Sequence, residues 1–100
     1  MSASLKNRIF YVQSYETSDV IFFKVVRSTT NTCEVVNVKK TIVFQNEDVQ
    51  YVEPDLRREG LKERCKVLND KQIKFKDGDI GTIWDGKPVK QICIIYMPIM

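Results

Sequence analysis

The stretch Ile73–Val89, which reads IKFKDGDIGTIWDGKPV, contains two Asp-Gly pairs and the only Trp of the chain. Asp77-Gly78 lies between two segments in which apolar and polar residues alternate. This pattern predicts a β-hairpin with a type I′ turn, which needs positive φ at both central residues. Asp85-Gly86 repeats the signal before the apolar run Ile92–Tyr96, and Pro88 is expected at the turn edge because proline has no N–H for a ladder. The stretch therefore predicts a three-stranded meander.

Trp84 lies at the second of these turns, and two interpretations of it stand. It could pack against the end of a barrel, or it could be an exposed platform on which another ring stacks. Packing is favoured about two to one, because Trp is highly buried on average.

The remainder of the chain also has the pattern of strands. Val20–Arg27 is β-branched or aromatic almost throughout, which predicts a central strand. Alternation in Cys33–Phe44 places Val36, Val38, Ile42 and Phe44 inward, with a bulge at Asn37. Asp55–Cys65 has too weak an apolar stripe for a helix, so a loop or single turn is expected there. The other predicted strands are Ile9–Tyr15, Gln50–Val52 and one from about Lys62 to Leu68.

Six or seven short strands, separated by turns every 8–12 residues, are typical of a small all-β domain. We expect an antiparallel SH3-like barrel or a compact sandwich, with at most one short helical turn. One hundred residues form a single domain, 1–100, since this length buries enough surface to fold alone. Its motif-bearing part covers about residues 14–90, and residues 91–100 form a last strand or tail.

Composition indicates a soluble protein. The chain has no apolar run of the ~18–20 residues that span a bilayer, and no membrane partner is expected. The first ten residues, MSASLKNRIF, lack the apolar segment of a signal peptide, which predicts a cytoplasmic protein.

The chemistry-bearing residues argue against an enzyme. The chain has no His, which is the commonest general base and the usual activator of a catalytic Cys. Cys33, Cys65 and Cys93 are widely spaced and adjoin apolar residues, so we interpret them as small core residues rather than zinc ligands. No catalytic residue, metal site or cofactor is predicted.

In Ser14–Thr29, SYETSDVIFFKVVRST, a Tyr and a polar connection lead into an aromatic strand. Four later segments follow in order: Val52-Glu53-Pro54, Arg64–Val67, Ile73–Lys76 and Trp84–Val89. Together these segments resemble a family of short uncharacterised proteins encoded by bacteriophages and other bacterial mobile elements, whose opening leads into an FYxVV strand. The chain departs from the family at Asp77-Gly78, where a Tyr-rich run is usual, and in its apolar tail. The family has no established activity, so the resemblance implies origin in a bacterial host rather than mechanism.

Basic residues concentrate in residues 57–76, which hold eight basic against three acidic residues. If the predicted strands alternate, five of these cations share one sheet face. Such a face predicts either a nucleic-acid-binding groove with aromatic platforms or a solvated surface that discourages edge pairing. The nucleic-acid candidates are Lys62, Arg64, Lys66, Lys74, Lys76, Trp84 and Lys87.

The second hypothesis, slightly favoured, is a module that binds a host protein as an inhibitor or adaptor. An acidic segment around one Tyr suits a basic target, and Tyr and Arg are enriched among binding hot spots. The protein-binding candidates are Tyr51, Glu47, Asp48, Glu53, Arg57 and Arg58. The apolar tail Ile92–Met100 further predicts a docked last strand that could serve as a homodimer edge.

Overall fold

The computed structural model describes residues 5–92, which form an all-β domain without a helix. Accordingly, this part of the chain has no helix that is long and apolar enough to cross a membrane. Seven strands follow each other along the chain. They are β1 (Ile9–Gln13), β2 (Val20–Ser28), β3 (Thr32–Asn46), β4 (Val49–Asn69), β5 (Gln72–Lys74), β6 (Ile80–Ile83) and β7 (Val89–Ile92).

Six of the strands close an antiparallel barrel in the order β3-β2-β1-β6-β5-β4, and β4 pairs back to β3. The interior contains buried side chains from five strands, because alternate residues of a strand point to opposite faces. These side chains are Phe10, Val25, Cys33, Val35, Cys65 and Ile73. The prediction of a small antiparallel barrel with six or seven strands is confirmed.

A second apolar cluster lies on the outside of the barrel wall. Ile9 of β1, Phe22 of β2 and Val38 of β3 alternate with the interior residues and therefore point outward. The far halves of β3 and β4, together with β7, cover them. Val52 from β4 is fully buried in this cluster, with Val89 of β7 packed beside it.

β4 is one extended strand, and this corrects the loop or helical turn predicted at 55–61. The register with β3 changes abruptly, from Val38 opposite Glu59 to Lys39 opposite Asp55. Residues 56–58 therefore have no partners on β3. They form a three-residue bulge, which bends the hairpin. The sequence predicts a bend or bulge at Asn37, and a smaller register shift does occur there, between Val36 opposite Lys62 and Val38 opposite Glu59. The extra residue, however, belongs to β4, because two β4 residues lie opposite Asn37.

The Asp77-Gly78 hairpin forms, but its turn is not type I′. Only Gly78 of the pair has positive φ, and Phe75 N donates to Asp79 O at 2.9 Å. Gly78 N also donates to Phe75 O at 3.0 Å, so the loop has three residues. A type I turn followed by a left-handed glycine is the usual geometry at this loop length.

The third strand of the predicted meander has a different neighbour. β6 pairs with β5 and β1, whereas β7 pairs with β4, from Val49 opposite Ile92 to Val52 opposite Val89. β7 begins directly after Pro88, as expected, but it ends at Ile92. The rest of the predicted tail, Cys93–Met100, lies outside the described residues.

Gly81 is packed so closely that a side chain would not fit. A Cβ there would lie 2.9 Å from Ile73 Cγ1 and 3.1 Å from Phe75 Cε1. We predict that Gly81→Ala lowers the free energy of unfolding by about 1–3 kcal/mol, the usual cost of overpacking a core. Urea unfolding measures this, with the exposed neighbour Thr82→Ala as control. Equal stability of the two variants would contradict the packing described.

Candidate functional site

The far end of the β3–β4 hairpin and β7 form a three-stranded layer, which we call the distal sheet. It consists of residues 39–46 of β3, residues 49–55 of β4 and all of β7. Val52 and Val89 lie on its inner face. They contact the outer barrel cluster, in which the Trp84 ring meets Phe22 edge-on at a centroid distance of 6.1 Å.

A buried polar network fixes the distal sheet on the barrel. Gln91 Oε1 accepts hydrogen bonds from Val20 N at 3.1 Å and from Lys40 Nζ at 3.0 Å. Gln91 Nε2 donates to Gln50 Oε1 at 2.9 Å. The Lys40 ammonium also reaches Asp19 Oδ1 at 2.7 Å and Val20 O at 2.8 Å. Four strands (β2, β3, β4 and β7) and the β1–β2 connection are thereby held in one arrangement.

The free edge of the distal sheet is apolar. β2 stops pairing with β3 at Phe22 opposite Val38, so within residues 5–92 the segment 39–46 has a β-sheet neighbour only on the β4 side. Three consecutive side chains on this edge are exposed, namely Ile42 (47%), Val43 (46%) and Phe44 (56%). We call these three residues the apolar edge. Its Phe44 ring contacts Tyr51 at a centroid distance of 5.8 Å.

The exposure of the apolar edge corrects the prediction that Ile42 and Phe44 point into the core. Val36 and Val38 are buried as expected. The register shifts again between Ile42 and Phe44, which adds Val43 as an extra residue and turns Phe44 to the outer face with Tyr51. Ile42 precedes this shift and lies opposite Val52, so it keeps the inner face but is exposed there.

The predicted acidic residues lie around the apolar edge. Glu47 and Asp48 form the exposed turn between β3 and β4, and Glu47 has a φ of 21°. Glu53 is half-buried on β4, opposite Thr41. With Tyr51 half-buried beside Phe44, four of the predicted protein-binding residues therefore belong to the distal sheet and its turn.

The two predicted arginines lie instead in the three-residue bulge of β4, residues 56–58. Arg57 is largely exposed, and its Nε donates to Asp55 Oδ1 at 3.2 Å. Arg58 occupies the same bulge in the β4 backbone. The sequence places both arginines in one predicted binding group with residues of the distal sheet. In the structure they lie next to that sheet rather than within it.

The predicted basic residues occupy the outer wall of the barrel. Lys62, Arg64 and Lys66 alternate along β4 and are exposed, while the residue between the last two, Cys65, is buried. Lys74 of β5 is directly opposite Lys66, and Lys76 follows in the β5–β6 loop. Arg64 Nη2 lies 4.0 Å from Glu34 Oε1, but neither Lys66 nor Lys74 has an ion-pair partner within residues 5–92.

Trp84 does not join this basic wall. Its ring is half-buried in the outer cluster, and its indole N–H donates to Lys87 O at 2.7 Å. Lys87 itself is exposed in the β6–β7 turn. The structure thus gives Trp84 the packing contacts that the first interpretation required.

Sequence reasoning missed the polar network and the apolar edge. Gln50 and Gln91 are buried, although isolated glutamines carry no signal for burial. No group of three or more His, Cys, Asp or Glu side chains that could hold a metal ion occurs in the described residues. No protein-family model, curated protein or solved structure matches the chain.

Removal of the central amide of the network should weaken the whole domain. We predict that Gln91→Leu lowers the free energy of unfolding by about 1–3 kcal/mol, since Val20 N–H and the Lys40 ammonium lose a buried acceptor. Urea unfolding checks this against Gln45→Leu, an exposed position on the same sheet. A Gln91→Leu chain as stable as the control would show that the network does not hold the sheet.

Proposed function

We propose that the chain is a small non-enzymatic interaction module that binds another protein through the distal sheet. The observation that supports this most directly is the apolar edge, where three consecutive residues of one edge strand, Ile42, Val43 and Phe44, are exposed. Single exposed apolar residues are ordinary, but several close together with polar residues around them are typical of protein-binding surfaces.

The backbone at this edge strengthens the proposal. An unpaired edge strand offers N–H and C=O groups to another chain, and proteins normally protect such edges with charges, proline or bulges. Here the edge has one bulge, at Val43, but its centre is apolar, and the nearest charges are Lys39 and Lys40 at one end and Glu47 at the other. A partner could therefore add main-chain hydrogen bonds to apolar contacts, as in strand-addition complexes.

Phe44 is the best candidate for an anchor. Its ring is supported by Tyr51 and is more exposed than its neighbours. Aromatic residues that are already positioned lose little conformational entropy on binding, and they are frequent hot spots. The acidic turn at Glu47 and Asp48 suits a partner with basic residues around an apolar centre.

The resemblance to phage and mobile-element proteins supports a host protein as the target. A chain that covers a surface of such a protein would act as an inhibitor or adaptor in the cytoplasm of a bacterial host. It would need no cofactor for this activity.

The first test is capture of a partner by matched variants. From bacterial lysate, we expect the natural chain to retain a protein that Ile42→Ser/Phe44→Ser loses by ~10-fold or more, which corresponds to about 1.4 kcal/mol or more. The control is Leu61→Ser/Leu68→Ser, which removes two other exposed leucines, 88% and 42% accessible, outside the distal sheet. The captured protein is then purified and titrated against all three chains.

Equal binding to both double variants would place the interface elsewhere on the domain. Folding of each variant is checked by urea unfolding, since exposed positions of this kind usually change stability by less than about 0.5 kcal/mol.

One observation supports nucleic-acid binding as a second candidate function. Lys66 and Lys74 are direct cross-strand partners, and like charges placed opposite each other destabilise a sheet. A phosphate bound between them would relieve this repulsion, with Lys62, Arg64 and Lys76 nearby along the same wall.

Anisotropy of labelled single- and double-stranded DNA and RNA tests this second function at several salt concentrations. If the wall binds phosphates, Lys66→Gln/Lys74→Gln should weaken binding and reduce the slope of log K against log salt by about 2. Lys39→Gln/Lys90→Gln is the control, because both lysines are exposed on the distal sheet. Absence of binding at low salt would exclude this second function.

A further inference from the structure

Cys33 and Cys65 lie side by side on two adjacent strands of the barrel wall. They are Cα partners in the antiparallel ladder of β3 and β4, and each side chain is only 2% exposed. Two residues further along the same register, Val67 N donates to Asn31 O at 2.8 Å. Because the pattern repeats every two residues, Cys33 and Cys65 are also a hydrogen-bonded pair, with Cα atoms about 5.5 Å apart. This separation lies within the range of about 4.4–6.8 Å that disulfides span.

The two thiols are in contact and have different chemical roles. A hydrogen bond from the Cys65 thiol lowers the pKa of Cys33 below its ordinary value, although burial opposes this shift. The same hydrogen bond, together with burial, raises the pKa of Cys65. Cys33 is therefore the sulfur that ionises first, and the thiolate is the form that attacks an oxidant.

A cavity of about 250 Å³ borders Cys33, at the end of the barrel where the β2–β3 turn lies. Thr29, Thr32 and Arg64, which line this cavity, are exposed, so the cavity reaches the surface. Its volume is large enough for a peroxide or several water molecules.

We infer that Cys33 and Cys65 are a redox modification site, at which a hydroperoxide converts the two thiols into a cross-strand disulfide. The Cys33 thiolate attacks the terminal peroxide oxygen, the O–O bond breaks, and the alkoxide that leaves (hydroxide when the oxidant is hydrogen peroxide) takes up the proton that Cys33 released. The Cys65 sulfur then attacks the resulting sulfenic acid, so that the S–S bond forms and the S–O bond breaks. The hydroxide released in this step takes the Cys65 proton, and two thiols lose two electrons to one peroxide.

The bridge would close a loop that contains the bend and most of the distal sheet, because residues 34–64 lie between the two sulfurs. It would tie β3 to β4 on the barrel side of the bend. The proposed binding function does not depend on this bond, and the bond does not depend on the binding function.

The test uses the full chain with Cys93→Ser, so that only the two barrel thiols remain. Treatment of the folded, reduced chain with one equivalent of hydrogen peroxide should remove about 2 Da and abolish both free thiols. Peptide mapping without reductant should link the Cys33 and Cys65 peptides, and dithiothreitol should reverse the change. The thermal midpoint of the oxidised chain should rise by several degrees, because the cross-link restricts the unfolded chain.

Matched single variants distinguish the roles of the two sulfurs. In the same background, Cys65→Ser should gain about 16 or 32 Da at Cys33, since no thiol is left to resolve the sulfenic acid. Cys33→Ser should react at least ~10-fold more slowly, because the remaining thiol is buried and Cys65 does not border the cavity. Thiols that stay free in the folded chain, oxygen addition in place of a cross-link, or unfolding on oxidation would each overturn the inference.

Discussion

The register break between β3 and β4 is the constraint on which the rest of the structure depends. Three residues of β4, 56–58, have no partners on β3, so the long hairpin bends where the barrel ends. On one side of the bend, β3 and β4 close the barrel around its interior. On the other side they separate from β2, and the apolar residues of the outer wall gain the distal sheet as a cover. Val52 beyond the bend thereby lies in the same buried cluster as Phe22.

The polar network decides how the distal sheet lies on the wall. Apolar contacts between Val52, Val89 and Trp84 favour burial but specify position only loosely, because packing alone tolerates small shifts. Gln91 adds directional hydrogen bonds to Val20 and Lys40, and a register slip would leave those buried groups unsatisfied. The sheet is therefore held with one edge of β3 facing solvent, and the exposure of the apolar edge follows from that position.

Local patterns in the sequence identified most of the strands and the Asp77-Gly78 turn, because β-propensity and turn chemistry act over a few residues. They did not predict which strands would be neighbours. The meander failed at β7, whose partner Val49–Val52 lies about forty residues earlier in the chain. Alternation predicted Val38 correctly and failed at Phe44, since each bulge reverses which residues face inward. The basic wall could be predicted from spacing alone, whereas the buried glutamines and the Cys33–Cys65 pair depend on long-range register.

Residue-resolved amide hydrogen exchange of the folded chain tests most directly whether the distal sheet is a fixed part of the domain. Gln50, Tyr51 and Val52 lie on the middle strand of that sheet, between β3 and β7. If the bend and the network hold the sheet on the barrel, these amides should open with free energies within about 1 kcal/mol of global unfolding. Exchange near that of an unfolded chain, with the barrel amides still protected, would contradict the account, because the hairpin would then be undocked and the apolar edge would have no fixed form.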